Sequence, residues 1–150
     1  MAIKKFTSQQ SAESGMEITL ENPVNGLPLP ERITVYGSDS KTCRDIQRRQ
    51  TNHRFEQQAK QKNRKKASMT AEQIEAEGLD LLVGCTKSWR TILFDETGKK
   101  EIGSRPEIEF DDGEWLPCTP ENVRRLYEEF PCFKEQIDGE IGDRTNFLQS

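Results

Sequence analysis

The chain has 150 residues, a formal net charge of −4, and equal shares of hydrophobic and charged residues at 32% each. That length fits one domain. The lean apolar content implies exposed helices or surface covered by a partner, and the acidic balance excludes a general nucleic-acid binder. No apolar run reaches the roughly 18 residues a membrane span needs, and Lys4-Lys5 is not followed by the apolar stretch of a secretory signal.

Residues 1–15 are mostly polar and read as a flexible arm, or a strand that orders only on contact. Ile18 and Leu20 alternate in a short strand from Met16. Asn22-Pro23-Val24-Asn25-Gly26 is turn chemistry, and Ile33 and Val35 share a face in the strongest strand signal of the chain. The two runs predict an antiparallel pair over 16–37, too small to be stable alone, so it packs on a helix or on another chain.

Ser38 or Ser40 caps a helix predicted over 41–66. Cys43, Ile46, Phe55 and Ala59 are its sparse apolar positions, and ten bases against Asp45 and Glu56 give it a charge of +8. A helix this polar bridges solvent or binds a partner. Its last part, Lys60–Lys66, reads as fraying into a linker. Thr70-x-x-Gln73 is a capping box. Ile74, Gly78, Leu82, Cys85 and Trp89 fall on one helical face, which predicts the most apolar helix, central in the core and ending near Trp89. Thr91–Phe94 reads as a strand, Asp95–Gly98 as a turn, and a return through Ile102 fits. Pro106–Asp112 is acidic and extended.

The strongest helical signal is C-terminal. Thr119 is an N-cap, Pro120 fits the first helical position, and Glu121 faces the positive end of the helix dipole. Val123, Leu126, Tyr127 and Phe130 form one stripe. Pro131 interrupts that helix and starts another, striped by Phe133, Ile137 and Ile141 and ending at Gly142-Asp143, with Phe147 and Leu148 able to fold back. The fold class expected is α+β but mainly α: a small N-terminal strand pair, then a helical domain over 16–150 closing in a helical hairpin.

Charge divides along the chain. From Glu107 to Asp143 twelve acids face only Arg124, Arg125 and Lys134, a balance of −9. Basic helix and acidic hairpin can pair within the chain or head to tail between copies, building a ring or helical array. Catalytic chemistry is poorly represented. His53 is the only histidine and lies in the basic helix, and no Gly-x-Ser-x-Gly or Gly-rich phosphate loop occurs. Cys43, Cys85, Cys118 and Cys132 form no Cys-x-x-Cys pair, so they suggest neither zinc nor a disulfide framework, but free thiols in a reducing cytoplasm. Asp111-Asp112-Gly113 lacks the alternating acids and closing glutamate of a calcium loop. These features predict a protein that is not an enzyme, with no cofactor and no metal.

Several stretches together resemble a known family. Ile33–Ser40 leads into a helix rich in Arg and Gln. Ala71–Thr86 is Leu-rich, and Trp89 follows. Thr119-Pro120-Glu121-Asn122-Val123-Arg124-Arg125-Leu126-Tyr127 precedes Pro131, Gln136-Ile137, Ile141 and Asp143–Leu148. Over about 16–148 the chain resembles the tail assembly chaperones of long-tailed bacteriophages. The resemblance implies a non-enzymatic protein of the host cytoplasm that coats the tape-measure protein and recruits tail tube subunits, which displace it as the tail polymerises. Read from the residues themselves, Arg44 and Arg48 lie one turn apart with Arg49 beside them, so Arg44, Arg48, Arg49 and Arg54 are expected to form a partner-binding face whose mates are acids such as Glu128, Glu129 and Asp138, on another copy or a tail protein. Arginine suits that role because its planar fork engages a carboxylate with two hydrogen bonds. Two other classes compete: a structural tail or head–tail connector protein retained in the virion, and a small nucleic-acid-binding protein using the basic helix. The second has few aromatics for base stacking.

Overall fold

A four-stranded sheet and a two-stranded ribbon combine with helices in this α+β fold. The structure, a computed structural model, describes residues 3, 9–60 and 70–143. Its elements run α1 (Gln9–Ser14), β1 (Met16–Glu21), β2 (Pro28–Val35), α2 (Lys41–Lys60), α3 (Ala71–Cys85), β3 (Thr86–Phe94), β4 (Glu101–Arg105), β5 (Glu107–Asp111), β6 (Glu114–Pro117), α4 (Pro120–Glu129) and α5 (Pro131–Gly142). Strands β1–β4 form one antiparallel sheet in sequence order, and β5–β6 form a separate two-stranded ribbon. This corrects the expectation of a mainly α fold with a small N-terminal strand pair. The β1–β2 pair is present, but it is one half of a four-stranded sheet, and the helices α2 and α3 are inserted between its second and third strands.

The central helix predicted as far as Trp89 stops at Cys85. Thr86 takes an extended conformation, and its hydroxyl donates back to the Leu82 carbonyl at 2.9 Å. The residues that follow, Thr-Lys-Ser-Trp-Arg-Thr-Ile-Leu-Phe, are rich in the β-branched and aromatic types that suit a pleated surface. Trp89 is therefore a strand residue, paired with Ile33 and buried at 3% exposure. Helical and strand spacing both bring it to the core, which is why the helical stripe included it.

One face of the sheet is wet and one is dry, the arrangement typical of antiparallel sheets. Ile18, Leu20, Ile33, Val35 and Trp89 point inward. Outside, Arg90 reaches Glu17 with two 2.8 Å hydrogen bonds, and this holds the Glu17 carboxyl below its usual range. Helices α4 and α5 close the dry face with Val123, Leu126, Tyr127, Ile137 and Ile141. The Gln136 side chain both accepts from the Glu21 N–H (2.9 Å) and donates to the Glu21 carbonyl (3.0 Å), so α5 satisfies backbone groups on edge strand β1. The ribbon is fastened by Trp89 Nε1 donating to the Leu116 carbonyl (3.0 Å) and by the Thr91 hydroxyl donating to the Glu107 carbonyl (2.7 Å).

The polar N-terminal stretch, expected as an arm over 1–15, ends in helix α1. Ala12 is fully buried and its carbonyl accepts from Gly37 N–H at 2.9 Å. The Glu13 carboxylate accepts from the Lys41 N–H (2.7 Å) and the Thr42 hydroxyl (3.1 Å), placing negative charge at the start of α2. Gly15 makes the turn from α1 into β1 possible: its φ is +90°, and a Cβ there would lie 2.9 Å from the Val35 carbonyl oxygen.

Candidate partner-binding site

Ser40 caps α2, its hydroxyl accepting from the Cys43 N–H at 3.1 Å, and the helix then leaves the body. Of its twenty residues only Cys43 is buried, and every residue from Thr51 to Lys60 is exposed. Helix α3 mirrors it: Ala71–Ala76 are all exposed, whereas Leu82, Val83 and Cys85 are buried. The outer half of α2 and the outer half of α3 thus form an exposed helical arm. Ile74, predicted to lie on the core stripe, is instead 57% exposed, and Phe55 on α2 is 65% exposed. The reason is position: the stripe has the right period, but its first turns lie beyond the sheet they would need to pack on.

Among the described residues, contacts at three levels hold α2 to α3. At the base, Cys43 and Cys85 form a disulfide with Cα atoms 5.7 Å apart. This corrects the reading of all four cysteines as free thiols, since the two are 42 residues apart in sequence and their proximity is created by the fold. Next, Ile46 seats against Gly84, where a Cβ would collide with its Cδ1. Furthest out, Glu77 receives the Gln50 amide on its carbonyl (2.8 Å) and Arg54 on its carboxylate, with Nε at 3.1 Å. Between the helices lies an open groove of about 660 Å³ bordered by Gln47, Thr51, Arg54, Ile74 and Leu81.

The predicted site residues separate on this frame. Arg54 is engaged internally by Glu77. Arg44 lies 3.8 Å from Asp39 and Arg48 lies 3.9 Å from Asp45, both long contacts with exposed guanidinium groups. Arg49 is exposed and has no ion-pair partner among the described residues. On the hairpin, Glu128 and Asp138 are exposed, and Glu129 pairs with Arg125 at 3.1 Å. No ion pair joins the α2 arginines to Glu128, Glu129 or Asp138 among the described residues. The basic run from Lys62 to Lys66 and the C-terminal Arg144–Leu148 lie outside the described residues.

A second feature escaped sequence reasoning. Leu29, Glu31, Ile33 and Val35 occupy alternate positions of β2, so Glu31 is the one acid on its core-facing side. It borders a cavity of about 200 Å³ walled by Leu29, Ile108, Phe110, Phe130 and Phe133, with Glu109 at the rim. Oε2 is buried with no hydrogen-bond partner among the described residues. Burial pushes the Glu31 carboxyl above its usual range; a hydrogen bond to its own backbone and the charge of Arg32 oppose this, and the nearby Glu109 charge adds to it. The signal that could have found it is the strand alternation, which reads apolar, acid, apolar, apolar.

The remaining polar chemistry is structural. Tyr127 hydroxyl and Thr86 hydroxyl share a 2.6 Å hydrogen bond that ties α4 to the end of α3, and burial holds the phenol above its usual range. Burial likewise pushes the Cys118 thiol up to about 11, which disfavours its thiolate. Among the described residues no cluster of three metal-ligating side chains occurs, and no helix is long and apolar enough to cross a membrane. Neither family models, curated proteins nor solved structures provide a match to this chain.

Proposed function

We propose that this chain is a non-enzymatic assembly chaperone of a phage tail, acting in the host cytoplasm, whose exposed helical arm covers the tape-measure protein until tube subunits displace it. The observation that supports this reading is the arm itself. A twenty-residue helix with one buried residue gains little from packing, and its own Arg44–Arg48 spacing sets like charges one turn apart. Its exposed Phe55 and Ile74, basic flank and open groove suit a long, amphipathic, partly acidic helix as the covering partner.

Co-expression with the tape-measure protein tests the proposal. The wild-type chain is expected to keep the tape-measure protein soluble and to sediment with it at low salt. An Arg44/Arg48/Arg49→Glu variant should fold but lose the complex, because charge reversal on exposed sites alters partners more than stability. Mass spectrometry of purified virions is expected to find no copies of the chain. A tape-measure protein equally soluble without the chain sinks the proposal. Stoichiometric retention in the virion favours a structural tail or connector role instead.

A further inference from the structure

We propose that the pocket around Glu31 binds a cation carried on an apolar stem, an alkylammonium or alkylguanidinium group. The inference is independent of the tape-measure reading, since the pocket lies between the sheet, the ribbon and the α4–α5 corner, away from the arm. Its walls are hydrocarbon and aromatic: Leu29, Ile108, Phe110, Phe130 and Phe133. Its volume of about 200 Å³ is several times what one water needs. Into this apolar space the fold places a carboxylate oxygen without a partner.

A buried acceptor left without a partner is costly, and a buried charge more so. Nearby arginines do not resolve it. Arg32 turns to backbone, donating to the Leu29 carbonyl and, at 3.2 Å, to the Glu31 carbonyl. Arg125 stacks 4.7 Å from the Phe110 ring centroid and spends its charge on Glu114 and Glu129. Arg90 is held by Glu17 on the far face of the sheet. A ligand that fits must therefore fill hydrocarbon walls and deliver positive charge at one end. Glu109, which also lines the pocket, adds a second negative charge, and Phe130 contributes a ring of the kind that attracts a cation. A neutral alkyl group would fill the walls but leave Oε2 without a partner, and an anion would be repelled. Lysine and arginine side chains of a second copy and free amines share this chemistry.

The test is a titration of the full chain followed by NMR, with n-butylammonium chloride and with n-butanol as probes. Butylammonium is expected to shift the Leu29 and Ile108 methyl signals and the Phe110 ring signals saturably. Butanol can still donate its O–H to the carboxylate but brings no positive charge, so it is expected to bind about tenfold more weakly. Glu31→Gln, nearly isosteric, is expected to weaken butylammonium binding by a similar factor and leave butanol unchanged. Equal binding of the two probes to the wild type, no saturable shift, or a shift indifferent to Glu31→Gln overturns the proposal, and the two-probe comparison requires no variant to fold. Sedimentation of the wild type with butylammonium chloride against equal sodium chloride then identifies the source. A fall in assembly mass assigns the occupant to a basic side chain of a second copy, and an unchanged mass assigns it to a free amine.

Discussion

The α4–α5 pair and the α2–α3 arm are both built from consecutive helices, and they are stabilised in different ways. The hairpin has apolar stripes on both members, and the sheet lies beneath them: Val123, Leu126, Tyr127, Ile137 and Ile141 are all buried. The arm has comparable helix-start signals, a capped Ser40 and a capping box at Thr70. The outer half of α2 is wholly exposed, however, and α3 is tied to the body by Leu79 packed against the core and by the Asp80–Arg124 ion pair. Caps decide where a helix begins, and burial decides whether it is stable there. The outer half of α2 is therefore held by its ties to α3 and by whatever covers it.

The sharpest break between the two regions comes from truncating one apolar side chain in each. Ile137 is fully buried in α5, so Ile137→Ala is expected to cost about 2–5 kcal/mol. Phe55→Ala, on the exposed arm, is expected to stay within about 0.5 kcal/mol of wild type. Urea denaturation of the two variants decides it. Equal losses would mean that the arm packs on the body.

The next largest effect is expected at the base of the arm. The Cys43–Cys85 bond closes a long loop, and such a cross-link contributes about 2–4 kcal/mol, chiefly by restricting the unfolded chain. Thiol titration of unfolded, unreduced protein is expected to count two thiols, Cys118 and Cys132. Reduction should lower the urea midpoint and raise amide exchange first in α2. A count of four thiols in protein taken directly from a reducing cytoplasm would show that the bond is absent there.

The same contrast explains what the sequence made legible. Both capping signals, at Thr70 and Thr119, and the hairpin stripes depend on neighbours three or four residues away, so local spacing carries them. The four-stranded sheet depends on β3 returning to β2 after two intervening helices. Nothing local in Thr86–Ser88 announces that return, and Trp89 satisfies helical and strand periods alike. The disulfide was hidden for the same reason, because its partners meet only through that topology. The candidate arginines were legible as a basic face, yet the structure alone gives Arg54 its own acid, Glu77. Glu31 was readable in principle from the β2 alternation, but its missing partner is a property of the three-dimensional packing.

A smaller effect belongs to Glu31 and sharpens the comparison from the body's side. Burial holds its carboxyl above the ordinary glutamate value of about 4.3, with its own backbone hydrogen bond and Arg32 opposing and Glu109 reinforcing. The folded chain therefore keeps this proton to a higher pH than the unfolded chain does. Its contribution to stability is complete below the unfolded value and is lost as pH rises through the folded one. Glu31→Leu removes the unpaired acceptor and fills apolar space, so it is expected to raise stability at neutral pH by on the order of 1 kcal/mol or less. It should also flatten the fall in stability above the glutamate range. Denaturation midpoints of both proteins from acid to neutral pH check this, and a variant less stable than wild type at neutral pH would contradict it.

The smallest effect is expected where the arm is held furthest out. Arg54 lies on the exposed half of α2, and its bonds to Glu77 are among the few that join the outer turns of the two helices. The pair is open to water, so solvent and salt screen it and side-chain freedom offsets much of the attraction. Arg54→Ala is therefore expected to leave the global denaturation midpoint unchanged. Its consequence should be local: amides from Thr51 to Lys60 exchange faster, while those of α4 and α5 keep their wild-type protection. Raising salt on the wild type should reproduce part of the change, and Glu77→Ala on the Arg54→Ala background should add little, because the bond between the two is already gone. Faster exchange spreading into the hairpin would show that the two regions are one cooperative unit, and the arm would then be part of the body rather than a separately held surface.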